Sequence, residues 1–337
     1  MSTATLFAAD IGGTKSELAI FQETDSDFRI LAQKRYANAG FSGIEEIISS
    51  FFSEFQYRPQ GACIAVAGVV TGNLVKLTNL PWLIDSLSLK MRFGFHRVKL
   101  INDLTAIATA LSHLGPDDLA EIQTGTRDGG QMRGVVAPGT GLGEGWLLES
   151  QGKVFARGSE GGHCDFAPVD DEQMALLAWM LEKQKPVSYE ALIAGPGLAY
   201  LYQFCMHFHG IPESPAIAEA MSLAKDKIPV IVDGAIGENS CPLCRRTIEL
   251  FLTILGSETG NLALKLYARG GMYLGGGILP RLFGKVVFDG FLRSFCAKGP
   301  MTELMQTIPV QIILKADAAL LGAAHSGRTE SADLLRP

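Results

Sequence analysis

Between Leu6 and Phe21 the chain reads LFAADIGGTKSELAIF. Two apolar runs, Leu6–Ala9 and Leu18–Phe21, flank an insert holding Asp10, Gly12, Gly13 and Thr14. That layout predicts two antiparallel strands joined by a tight glycine turn. Side-chain-free residues at 12 and 13 let backbone N–H groups come close to a bulky anion, and phosphate is the usual occupant. Asp10, at the end of the first strand, is placed to hold a divalent cation through water, since Mg²⁺ prefers few carboxylates and keeps much of its hydration shell. An ordinary hairpin with a Gly-Gly turn carries the same pattern, so the rest of the chain has to decide.

A chain of 337 residues exceeds the size at which single cores stop growing, so two domains are expected. With 47% hydrophobic and 19% charged residues it can bury a sizeable core. The net charge of −6 and the lack of a Lys/Arg run argue against nucleic acid as a partner. No apolar run reaches the length of a membrane span, so no membrane partner is expected. The opening residues MSTATLFAAD lack a basic region before their apolar run, which excludes a signal peptide as the expected reading. Six cysteines, four of them well spread, fit reduced thiols in a cytoplasmic protein.

Phe28–Tyr36 reads as a strand and Gly43–Phe55 as a helix, from the spacing of Ile44, Ile47, Ile48, Phe51, Phe52 and Phe55. Gly61–Val70 is a short apolar strand suited to a sheet covered on both faces. Val98–Ile101 is a strand running into Asn102 and Asp103, with a helix at Leu104–Leu114. This alternation predicts an α/β domain with ligands at the carboxyl ends of its strands. The polar stretch Gly115–Gly134 reads as loop and as the domain crossing. A second glycine turn, Pro138 to Gly143, then lies between strands Gly134–Ala137 and Gly145–Glu149. One Gly-Thr hairpin in each half is a weak internal repeat, as if both faced one cleft. Ser159-Glu160-Gly161-Gly162-His163-Cys164-Asp165-Phe166 packs acids, a histidine and paired glycines into eight residues. Helices follow at Glu172–Glu182, Ser188 to about Ile193, Leu198–Phe208, Ala216–Lys225 and Pro242–Arg269. Last come strand Gly271–Leu274, the turn Gly275-Gly276-Gly277, strand Val310–Leu314 and a helix around Ala318–His325.

With three glycine turns in place, the chain resembles the bacterial glucokinase family of hexose kinases, of the non-ROK type. That family sits in the superfamily of sugar kinases, acetate kinase, actin and the heat-shock chaperones. LFAADIGGTK is similar to the superfamily's first phosphate hairpin, VVAPGTGLG to its second, and YLGGGILPR to its adenosine motif. KLINDLTAIATAL resembles the strand-to-helix segment with the catalytic aspartate, and SEGGHCDFAP the sugar-binding signature. The likeness continues in family order through SYEALIAGPGLAYLY, CPLCRRTIELF and GNLALKLYARGG to IPVQIILKADAALLGAAH. The cysteine-rich zinc loop of ROK kinases has no counterpart in the sequence.

The resemblance implies a two-domain actin-like ATPase (ribonuclease H-like) α/β fold with a hinged cleft. A smaller domain over residues 1–115, completed by a C-terminal helix at 316–337, would pair with a larger one over 116–315. It implies transfer of the γ-phosphoryl of ATP to O6 of glucose with Mg²⁺, in a homodimer. Asp103 would be the general base, though Asp before a helix at Leu104 is equally a plain N-cap. Asn102 would offer its amide to a neighbouring hydroxyl, or simply make a turn. Glu160 and His163 would read sugar hydroxyls, the adjacent glycines leaving room for a ligand. Glu190 is the third implied sugar contact, against a first-turn acid held by the helix dipole, and Asn79 a fourth, against an ordinary turn residue.

For ATP, the phosphate hairpin Ala9, Asp10, Ile11, Gly12, Gly13 and Thr14 would act with Gly139, Thr140 and Gly141. Gly275, Gly276 and Gly277 would admit adenine and ribose, and Asp10 would reach Mg²⁺ through water. Cys241 and Cys244 suggest either a metal site with His207 and His209 or merely a helix start. Three departures stand out: Lys15 where many relatives have Asn, Ala137 where Gly is common, and Glu144 just past the second phosphate turn. A carboxylate aimed at phosphates would repel them, so Glu144 is expected to face solvent. A kinase for mannose, fructose or an amino sugar would use the same hairpins, and a non-catalytic sugar sensor would keep Glu160 and His163 while dispensing with Asp103.

Overall fold

Strand β1 (Thr5–Ile11) sends Phe7, Ala9 and Ile11 into one core and Leu6 and Ala8 into another. Only a strand covered on both faces needs that pattern. The computed structural model describes residues 5–24, 28–77, 80–126, 130–237 and 240–328, so Asn79 lies outside the described residues. Spatial proximity groups the chain into two units, Met1–Gly115 with Gly145–Gly158 and Lys315–Pro337, and Pro116–Glu144 with Ser159–Leu314.

In the first unit β1 is followed by β2 (Lys15–Glu23), β3 (Phe28–Ala37) and β4 (Gly61–Val66). A small antiparallel trio comes next: β5 (Gly68–Thr71), β6 (Leu74–Leu77) and β7 (Leu83–Asp85), then β8 (Arg97–Asn102). The run expected as one strand from Gly61 to Val70 therefore breaks at Ala67. The main sheet has the order β3-β2-β1-β4-β8. Strands β1, β4 and β8 are parallel, and their register pairs Ile11 with Val66 and Val66 with Asn102, so all three end level. Helix Ile44–Glu54 covers one face through Ile44, Ile47, Ile48 and Phe51. Helix Ala318–Arg328 covers the other through Ala319, Leu320, Ala323 and Ala324, beside Ala106 of helix Asp103–Ala110.

The six-stranded sheet uses β9 (Leu119–Gln123), β10 (Met132–Pro138), β11 (Leu142–Ser150), β12 (Lys153–Ser159), β13 (Met272–Leu274) and β14 (Val310–Ile313), in the order β12-β11-β10-β13-β14-β9. β9 corrects the expected loop at Gly115–Gly134: it pairs antiparallel with β14, and its one fully buried residue, Ala120, is too little pattern to announce a strand. The long helix is Pro242–Leu266, buried nearly all round, and it stops at Tyr267, whose φ of +52° leaves the helical region. Helices Ile228–Ala235, Asp289–Cys296 and Thr302–Thr307 add to those expected.

Candidate active site

The first hairpin forms as expected, with β1 and β2 antiparallel and Ile11 opposite Ser16. Its turn is tied by Gly12 N–H donating to Lys15 O at 3.1 Å. A residue the sequence reading missed braces it from beneath. Asn38, 2% exposed, donates through Nδ2 to Gly12 O at 2.9 Å, accepts at Oδ1 from Ser16 Oγ at 2.7 Å, and its N–H reaches Thr14 O at 3.0 Å. The Gly12 amide thus closes the turn rather than pointing outward. Among the described residues, the Gly13 and Thr14 amides have no protein acceptor and are the ones left for an anion.

Asp10 follows Leu6 and Ala8 on the sheet face that helix Ala318–Arg328 covers, by the period-two rule. Burial, and then the charge of Asp103, push its carboxyl up from 3.8 to about 7, with Glu17 adding repulsion and Lys15 and Arg35 opposing. Asp10 and Asp103 thus stand at the level ends of the parallel strands; among the described residues no group of three or more metal-ligating side chains forms, so a cation there would have two carboxylates and water. The N-cap reading of Asp103 gives way to a different arrangement. Asn102 caps the helix, its Oδ1 accepting from Leu104 N at 2.9 Å and Thr105 N at 3.2 Å, and Asp103 is the first helical residue. Asn102 Nδ2 lies 3.3 Å from Gly68 O, so its second amide hydrogen is what remains for a hydroxyl.

The raised Asp10 pKa has a consequence for stability. Its folded value lies above the unfolded one, so its contribution is intact below about pH 4 and is lost as pH rises toward 7. Asp10→Asn is therefore expected to melt above the wild type at pH 8 in EDTA, with the gap narrowing toward pH 5. A rise from 3.8 to about 7 bounds the gain at roughly 4 kcal/mol, and solvent at this partly exposed group reduces it. Equal melting curves at pH 8 would contradict the strain assigned to Asp10.

In the second unit Glu160, His163 and Glu190 come together. His163 Nδ1 lies 3.6 Å from Glu190 Oε1, and Nε2 lies 4.0 Å from Glu160 Oε2. The Glu160 and His163 side chains are about 60% exposed, so they are open to a ligand. Glu190, first residue of the short helix Glu190–Ile193, does more than sit on a helix dipole: its Oε2 accepts from Leu142 N at 2.8 Å. It therefore ties the histidine to the second glycine turn. There Gly139 N–H bonds Gly141 O at 2.8 Å, and Thr140 is exposed. The third turn is seated on the second, since Gly275 N–H donates to Val136 O at 2.8 Å. Gly276 has φ +85°, and a Cβ there would lie 2.1 Å from Pro138 O, so only glycine fits.

Two expectations need correction. The paired glycines do not chiefly make room for a ligand. They let the loop lie on β11: a Cβ at 161 would sit 1.9 Å from Glu144 Oε2, and one at 162 would sit 2.1 Å from Leu142 O. Glu144 itself is 2% exposed rather than facing solvent. It points inward because it shares its β11 face with Leu142, two residues before it. The cysteine pair marks a helix start, Cys241 standing immediately before Pro242–Leu266, while His209 pairs with Glu172 at 2.7 Å.

The glucokinase family model matches residues 7–330. The chain belongs to the glucokinase family. A glucokinase of Nostoc punctiforme is 36% identical to it, over 95% of this chain and 97% of that one. The crystal structure of a glucokinase from an Antarctic psychrotroph superimposes with a TM-score of 0.80 at 31% identity, covering 96% and 98% of the two chains. A glucokinase from Balamuthia mandrillaris in complex with glucose gives a TM-score of 0.81 at 23% identity over 97% and 94%, a likeness of fold. The mixed α/β architecture is thus that of the glucokinases.

Proposed function

We propose that this chain transfers the γ-phosphoryl of ATP to O6 of glucose, giving glucose 6-phosphate and ADP. Its membership of the glucokinase family over nearly the whole chain carries the reading, and the clustering of Glu160, His163 and Glu190 supports it. Phosphoryl transfer asks the protein mainly for positioning and for charge neutralisation. Glu190 and Glu160 accept from sugar hydroxyls, and His163 between them donates or accepts, so the trio selects a stereochemistry. Asp103 takes the O6 proton as attack proceeds. Asn102, by capping the helix, fixes where that carboxylate points.

On the nucleotide side, the amides of Gly13, Thr14, Thr140 and Gly141 hold phosphate oxygens, with the Thr14 and Thr140 hydroxyls as further donors, while the Gly139 amide closes its own turn. Gly275–Gly277 gives the adenosine close approach to backbone. Asp10 would hold Mg²⁺ through water, and the ion would supply charge neutralisation at the phosphates. The family resemblance implies a hinged cleft, whose closure over the hexose would keep water from ATP. A homodimer in the cytoplasm completes the reading. The free cysteines, several of them buried with pKa values raised by burial, are compatible with a reducing compartment.

A coupled assay with ATP, Mg²⁺ and a panel of glucose, mannose, fructose and glucosamine tests this. Glucose is expected to lead in kcat/KM by at least about tenfold, the discrimination that hydrogen-bonded hydroxyls readily give. A higher value for another hexose would reassign the substrate, and no turnover on any would remove the reading.

A further inference from the structure

Beneath the loop that carries Glu160 and His163 lies a polar cluster that the reaction does not itself require. Glu144 on β11 and Glu258 in the middle of helix Pro242–Leu266 are 2% and 1% exposed. The two carboxyls are in hydrogen-bonding contact. Among the described residues each keeps one buried oxygen, Oε1, with no hydrogen-bond donor, and the Tyr189 hydroxyl also lies against Glu258. Two ionised carboxylates in such a place would be costly, and a single proton between them satisfies both orphaned oxygens at once.

The surroundings hold this pair in place. Glu258 Oε2 accepts from Asn261 Nδ2 at 2.9 Å, which also lies 3.1 Å from Tyr189 Oη. Asn261 Oδ1 accepts from Lys298 Nζ at 2.8 Å, and Lys298 also donates to Ser257 O at 2.9 Å. On the other side, Glu144 Oε2 lies against Gly161: a Cβ there would sit 1.9 Å from it, so a side chain at 161 would have to displace the carboxyl. Gly161 is the residue between Glu160 and the Gly162–His163 turn. A shift of the Glu144 carboxyl toward the loop therefore runs into the loop at Gly161.

Given the reading that this loop takes glucose, we propose that Glu144 and Glu258 form a shared-proton pair that positions the sugar loop, holding Glu160 and His163 in binding geometry only while the proton lies between the two carboxyls. Loss of that proton leaves two charges in contact under the loop, and the side of Glu144 that faces the loop is closed by Gly161. Both are positioning residues, since neither touches the sugar.

The alkaline side is where the pair should let go. Burial, then the neighbouring Glu258 charge, pushes the Glu144 carboxyl up to about 8, with Lys265 opposing. Tyr189, pushed up to about 12 by its own burial, stays a neutral phenol through this range. Burial also lowers Lys298, which with Lys265 faces the same cluster, so variants at the carboxyls themselves have to carry the assignment. If only the protonated pair binds sugar, apparent KM scales with the inverse of the protonated fraction, about a tenfold rise by pH 9.

The test is the pH dependence, from 6.5 to 9.5, of glucose KM and kcat at saturating ATP for the wild type, Glu144→Gln and Glu258→Gln. The wild-type KM is expected to rise about tenfold between pH 7 and 9 with kcat changing less than twofold. Glu144→Gln keeps a donor toward Glu258 at every pH, and its KM should stay flat. Amide hydrogen exchange at residues 159–163, taken as the ratio of wild type to Glu144→Gln at each pH, should climb over the same interval. A wild-type KM constant from pH 7 to 9, or the same rise retained in both Gln variants, overturns the proposal. Loss of loop protection without glucose turnover at any pH would uphold the carboxyl pair and reject the substrate.

Discussion

Asp103→Asn is expected to lower kcat for glucose phosphorylation by about 10²–10⁴-fold, the usual contribution of a positioned general base, while glucose KM stays within a few-fold. The carboxylate is the first residue of helix Asp103–Ala110, and Asn102 supplies the cap, so the replacement leaves the helix start intact. Asp103 Oδ1 accepts from Leu104 N at 2.9 Å, and an amide oxygen can do the same. What disappears is basicity. Because the sugar contacts assigned to Glu160, His163 and Glu190 remain, the deficit falls on kcat, and kcat/KM drops with it, the signature of an interaction made only in the transition state. Steady-state kinetics on glucose measures it. A kcat within tenfold of the wild type would remove Asp103 from its role.

Local patterns made this part of the site readable. The Gly12–Gly13 turn follows from apolar runs that a hairpin must bring together, and the strand ending at Asn102-Asp103 follows from a short apolar run meeting a helical one. Glu160 and His163 could be paired from the sequence because they share one glycine loop, whereas Glu190 entered only through the family resemblance, and its place beside His163 shows only in the fold. Burial at a distance was much less legible. Nothing near Asn38 announces that it braces a turn two dozen residues earlier. Glu144 was misread because a carboxylate beside a phosphate turn looks exposed when taken alone, whereas its place on β11 and a second acid on a distant helix decide otherwise. Strands β9 and β12 hid for a simpler reason: they lie at the two edges of their sheet and carry too little buried apolar surface to show alternation. Helix Asp289–Cys296, by contrast, does show its Phe291 and Phe295 at four-residue spacing.

The second large effect concerns a residue far along the chain. In helix Ala318–Arg328, a Cβ at Gly322 would sit 1.8 Å from Ala106 O and 3.1 Å from Ala110 N. These are backbone atoms of the helix that begins with Asp103, and no rotamer change can relieve the clash. Gly322→Val must therefore push the two helices apart, undoing the packing of Ala319, Leu320 and Ala323 against the sheet. Overpacking of this kind costs about 1–3 kcal/mol or more, so a fall in melting temperature is expected that exceeds the change for an exposed, unstrained glycine such as Gly40. Gly322→Ala, the milder change, separates folding from catalysis. It should keep a cooperative melt yet lose on the order of 10²-fold in kcat, the effect of displacing a reacting group by about an ångström. Glucose KM should move little, because the sugar trio belongs to other elements. A Gly322→Ala enzyme with wild-type melting and wild-type kcat would show that the helix bearing Asp103 is not held in register from behind.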